Sequence, residues 1–133
     1  MDKIKGIEIV INQYSNWKPS DIAFVKKIKW SKGKLRILFL SQDRSNSTIW
    51  PDFNNEFFDI LIAFYNVSNL YINFNSSNIQ QITGFDVVDV SSSQMENINF
   101  EVEDYENRFL SFQCKEIKIE KISEPKKIKV NND

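Results

Sequence analysis

Between Ile82 and Ile122 the chain breaks into four short runs, "ITGFDVVDVS", "INFEVEDY", "RFLSFQC" and "EIKIEKI", in which apolar and polar residues alternate. A period of two is the repeat of a strand with one buried face, and it is incompatible with a helix of 3.6 residues per turn. Upstream, "IAFVKKIKW" and "KLRILFLSQ" flank "SKG", whose Gly33 completes a hairpin signal. In its second arm Leu35, Ile37 and Phe39 face one way, and Lys34, Arg36 and Leu38 the other. "FFDILIAFYNV" is nearly continuous apolar sequence, the mark of a strand buried on both faces, with a buried helix the alternative at this length. "NLYINFN" sets Leu70, Ile72 and Phe74 against Tyr71 and Asn73, and "EDYENR" predicts a second hairpin turn. Seven or eight short strands with turn signals between them predict a mostly β fold, α+β at most. The antiparallel strands form a sandwich or a partly open barrel.

Composition agrees, because Ile and Phe, which pack well on a pleated surface, dominate the apolar residues. Residues 4–14 carry two patterns: Ile7, Ile11 and Tyr14 at helical spacing, and Ile7, Ile9 and Ile11 in alternation. The turn-rich connector "SNWKPSD" that follows favours a short N-terminal helix. At 133 residues a single domain spanning 1–133 is expected, with 123–133 an edge strand or frayed tail beyond the breaker Pro125. Trp17 and Trp30 are expected in the core, and Trp50 and Phe53 in a long polar loop, "DRSNSTIWPDFNNE". The first residues hold no apolar run of signal-peptide length and no window has membrane-span length, so a cytoplasmic protein is expected. Cys114, the one cysteine, lies in the apolar row of "FLSFQC" and reads as a buried thiol.

Absent residue types narrow the chemistry. Without histidine there is no imidazole base, no Ser-His or Cys-His pair and no histidine metal ligand. Phosphate-binding glycine loops are missing too. Carboxylates remain, and residues 84–107 hold seven of them with no Lys or Arg. Asp86 and Asp89 are three apart, so an extended strand sends them to opposite faces, where they share no ion. Glu101 and Glu103 point outward together over an inward row of Ile98, Phe100 and Val102. This arrangement suits a solvated or recognition surface better than a metal site or a catalytic pair, and no metal or cofactor is expected.

Charge is distributed unevenly along the chain. Residues 1–44 hold ten basic side chains against four acids, residues 45–107 none against ten, and residues 108–133 seven against four. A net charge of -1 therefore conceals a segment of formal charge -10. Either strands interleave so that the lysines answer these acids across the sheet, or an acidic surface steers and holds a basic partner. The expected contact residues are Asp86, Asp89, Glu101, Glu103, Asp104, Tyr105 and Glu106, with the loop aromatics Trp50 and Phe53. A basic stripe, "VKKIKWSKGKLR", is present, but the acidic block argues against direct nucleic-acid binding.

"NWKPSDIAFVKKIKW" and "KLRILF", followed by "GFDVVDVSSSQMENINFEVEDYENRFLSFQCKEIKI", resemble the small bacterial immunity proteins of polymorphic toxin systems, in particular the immunity protein 50 family. The likeness spans residues 15–122: an early Trp-Pro element leads into strands, and a strand pair closes the C-terminal half. Asp21 stands here without the histidine that accompanies it in that family. The resemblance implies a non-catalytic cytosolic protein, a monomer or small homo-oligomer, that binds and blocks a cognate basic toxin, with a nuclease as one candidate. A carboxylate-based cation-binding module or small enzyme, and a structural or assembly β domain, are the alternatives.

Overall fold

The computed structural model describes residues 3–44 and 49–128. Among them are one helix, α1 (Ile7–Ile11), and nine strands. The strands are β1 (Ile22–Ser31), β2 (Lys34–Ser41), β3 (Phe58–Tyr65), β4 (Ser68–Ile72), β5 (Gln80–Gln81), β6 (Phe85–Asp89), β7 (Phe100–Asp104), β8 (Leu110–Cys114) and β9 (Glu116–Ile122). They form two antiparallel sheets, a larger one in the order β5-β1-β2-β3-β9 and a smaller one in the order β4-β8-β7-β6. The sheets make a sandwich and no barrel closes. Both predicted hairpins are present: β1 pairs with β2 across Lys32 and Gly33, each at positive φ, and β7 pairs with β8 across the 105–109 turn.

Alternation explains the core. Leu35, Ile37 and Phe39 of β2, Ile60, Ile62 and Phe64 of β3, and Ile117 and Ile119 of β9 are buried in one cluster with the inner residues of the smaller sheet. Phe39 meets Phe85 at 5.1 Å between ring centroids and Phe64 meets Phe112 edge-on at 4.8 Å, so aromatic pairs bridge the two layers. Cys114 lies in this cluster, where burial pushes its thiol up to about 12 and keeps it protonated. Trp17 is buried and donates from its indole Nε1 to Ser41 Oγ at 2.9 Å. Trp30 is half-exposed, contrary to expectation: it lies near the end of β1, beyond Phe24 and Val25, the two residues that β5 flanks.

Of the three register shifts among the described residues of the larger sheet, two determine which charges its outer face displays. Val25 opposes Phe39 and Lys27 opposes Leu38, which leaves Lys26 as the extra residue of β1. Likewise Leu61 opposes Lys121 and Ile62 opposes Ile119, which leaves Glu120 extra in β9. Each bulge lets apolar residues three apart, Val25 and Ile28 or Ile119 and Ile122, share the inner side. The charged pair between them is sent outward. Burial of β3 on both faces holds at Ala63 but not at Leu61 and Asp59, which are only half-buried.

The N-terminal segment closes one end of the sandwich. Lys5 bridges to Lys118 of β9, and Ile4, Val10 and Tyr14 join the core, with Tyr14 stacked on Phe58 at 4.3 Å. Gly6, at φ 76°, makes the bend into α1; a Cβ there would meet the Ile119 carbonyl oxygen. At the other end of the chain Lys126 bridges to Phe57. The predicted frayed end from residue 129 onward lies outside the described residues.

The 3-10 turn Pro19–Asp21 buries Asp21. Its Oδ2 accepts from the Lys18 N–H at 3.3 Å, while Oδ1 has no hydrogen-bond partner. Burial raises its pKa, against the lowering effects of the Lys18 N–H and of Arg44. A carboxyl whose folded pKa lies above its unfolded value stabilises the fold at low pH, and that contribution is lost as pH rises through the folded pKa. Asp21→Asn is therefore expected to melt at a higher temperature than the parent at pH 7, with the gain gone at pH 3. Thermal melts by circular dichroism across this range test it, and a gain that does not vary with pH contradicts it.

Candidate partner-binding site

The smaller sheet turns its outer face to solvent, and strand register determines which acids meet there. Asp86 of β6 stands directly opposite Glu103 of β7, and Val88 opposite Glu101. On the next strand Gln113 lies beside Glu101 and Ser111 beside Glu103. β4 brings Tyr71 against Ser111, and Asn69 donates to Gln113 Oε1 at 2.6 Å. Tyr105, half-exposed, extends the outward row of Glu101 and Glu103 into the hairpin turn, where its N–H donates to the Gly84 carbonyl. Glu106 sits on the same turn, close to Gly84. A shallow depression of about 260 Å³ is lined by Asn69, Glu101, Glu103, Ser111 and Gln113.

Among the described residues Asp86, Glu101, Glu103 and Glu106 have no ion pair. Asp86 accepts from the Val87 N–H, and Glu101 receives a long bond from Gln113 at 3.4 Å. Side chains directly opposite on neighbouring strands lie about 5 Å apart, and like charges there destabilise the sheet. The Asp86–Glu103 pair is such a contact.

The other expected residues are placed elsewhere. Asp89 lies at the rim, where Ser91 and Lys3 hold its carboxyl well below the usual range; Lys3 Nζ is 2.9 Å away. The chain's own lysine answers this acid, as two others, Lys26 and Lys126, do Asp59. Asp104 shares the inward parity of Phe100 and Val102 and is fully buried, its carboxylate accepting from the N–H groups of Phe109 at 3.1 Å and Leu110 at 2.8 Å. It organises the β7–β8 turn from inside, and its carboxylate is withdrawn from the outer face where it was expected. Trp50 and Phe53 do lie in the connection after β2, but they pack over one end of the larger sheet's outer face, at Phe24 and Leu40. Phe53 packs on Phe24 and Phe57, and Trp50 joins Ala23, Phe24, Leu40 and Phe57 in a second small cluster. Two sheet layers separate them from the acids.

The aromatics that do accompany the acids are Tyr105 and Tyr71, each half-exposed, with Val88. Tyr71 was legible as a residue pointing away from Leu70 and Ile72. Its neighbours were not, since they depend on β4 pairing with β8. Chemically this surface offers carboxylates, two phenols and amide groups in an open depression, which suits a flat, cationic protein surface. No group of three acids or cysteines among the described residues is arranged to hold a metal ion. Among the described residues no helix is long and apolar enough to cross a membrane.

A family model described as "Immunity protein PIM8" matches residues 7–120. No curated protein and no solved structure gives a significant match. The expected likeness to an immunity protein is thereby met by PIM8, and the match lends nothing to the narrower likeness to immunity protein 50.

Proposed function

The chain belongs to the PIM8 family of immunity proteins, and from that premise we propose that it neutralises a cognate toxin by binding it through the acidic outer face of the smaller sheet. The observation that carries the reading is the Asp86–Glu103 opposition, flanked by Glu101 and answered by no cation among the described residues. A fold gains nothing from that repulsion, whereas a partner supplying lysines or arginines would relieve it. Tyr105 and Tyr71 add amphipathic contact area at the margins of the same row.

The toxin surface this face fits is basic. A nuclease, which needs a cationic cleft for its own substrate, is the natural candidate, and an acidic face seated there would exclude that substrate. Inhibition is by occupancy, without catalysis, metal or cofactor, and takes place in the cytoplasm where an internal toxin would act.

Co-expression with a toxin domain encoded beside this chain's gene tests the reading. The chain is expected to restore growth, and the purified pair to associate more slowly and more weakly as salt rises from 50 to 500 mM, because screening shortens the reach of charge attraction. Neutralisation by a complex whose association rate is indifferent to salt would place the contact on some other face.

A further inference from the structure

The outer face of the larger sheet carries the opposite sign. A groove of about 470 Å³ runs across it, floored by Leu38 and Leu61, with Lys27 and Lys29 on one wall and Lys121 on the other. These three lysines are exposed and have no ion pair among the described residues. The groove's own acids are engaged. Burial pushes the Asp59 carboxyl up, but Lys126 and Lys26, each at 3.0 Å, outweigh it and hold the group ionised. Arg36 is paired with Glu120 at 3.0 Å. The surplus positive charge thus lies on the lysines that face solvent over an aliphatic floor.

We propose that this groove is a second docking surface and that its occupant is an acidic protein segment carrying aliphatic side chains. The walls stand on β1 and β9, three strand spacings apart, or about 14 Å. That width admits one extended segment or a single helix of about 10 Å diameter. Carboxylates of the segment meet Lys27, Lys29 and Lys121, and its apolar residues cover Leu38 and Leu61. Single-stranded nucleic acid is disfavoured because its bases need aromatic platforms, and no aromatic ring lines the groove. The surface is independent of the acidic face, so the chain can hold an acidic segment while its other side is occupied by the toxin.

Fluorescence anisotropy with the whole chain tests this. Three labelled probes are compared at 50 mM salt: an amphipathic Glu/Leu 14-mer, an all-Glu 14-mer and a dT14 oligonucleotide. Saturable binding is expected for the Glu/Leu peptide, at least fivefold tighter than for either other probe. The reversal Lys27→Glu/Lys29→Glu/Lys121→Glu should weaken it at least tenfold, and the milder Lys27→Ala/Lys29→Ala several-fold, both with melting temperatures near the parent's. Glu103→Lys, on the opposite face, should leave the affinity unchanged. Equal binding by the reversed chain, preference for dT14, or no saturable binding overturns the proposal. So does salt-reversible self-association abolished equally by Glu103→Lys and by the lysine reversal, which would make a second copy the occupant.

Discussion

Replacing Asp104 with alanine is expected to cost the fold about 3 kcal/mol, because two backbone donors, those of Phe109 and Leu110, lose their acceptor, and Leu110 is fully buried. For a chain of this length that lowers the melting temperature by roughly 10 °C. Asparagine retains one acceptor oxygen and removes a charge that burial disfavours, so Asp104→Asn should lose about a third as much. Burial raises the Asp104 carboxyl pKa despite the N–H groups of Leu110, Phe109 and Asp104 itself, which lower it. The price of ionisation is therefore borne by the fold at neutral pH and relieved on acidification through the raised pKa. Accordingly, the deficit of Asp104→Ala relative to the parent should widen on acidification. Below the melting temperature of the variant, toxin neutralisation should be unaffected. Equal melting of Asp104→Ala and the parent would sink the structural role, and lost neutralisation by a folded variant would return Asp104 to the contact surface.

That outcome bears on how far this sequence can be read. Alternation placed Phe100 and Val102 inward and Glu101 and Glu103 outward, and the same parity puts Asp104 inside. Counting it with the surface acids followed net charge where strand geometry should have decided. The bulges also left a local trace, in "VKKI" and "IEKI", where apolar residues three apart in a strand require one extra residue between them. What no local pattern carried was adjacency between distant segments. Which sheet the Trp50 loop covers depends on Phe24, Leu40 and Phe57 meeting on one outer face. Tyr71 joins the acids because β4 pairs with β8, some forty residues away. The two-residue β5 is held by its pairing to Phe24 and Val25, and it has no sequence signature of its own. Whether the lysines answer the acids has a divided answer: Lys26, Lys126 and Lys3 serve Asp59 and Asp89, while the row on β6 and β7 is left to solvent.

Glu103→Lys separates that row's role in recognition from its effect on the fold, because the two consequences have opposite signs. Opposite Asp86, a lysine turns a repulsive cross-strand pair into an attractive one, so the variant should be more stable than the parent by about 0.5–1 kcal/mol, or some 2–4 °C in melting temperature. Against a basic toxin, the same change removes one attraction and sets a cation against cations in the middle of the contact. Like-charge juxtaposition there costs several kcal/mol, so affinity should fall at least a hundredfold and growth rescue on co-expression should be lost. The combination is diagnostic, since a variant that fails by misfolding melts lower, not higher. Glu103→Gln should lie between, with a small gain in stability and roughly a tenfold loss of affinity. A stabilised Glu103→Lys chain that still neutralises the toxin would mean that Asp86, Glu101 and Glu103 are a solvated face only, and that the binding surface of this immunity protein must be sought elsewhere on the sandwich.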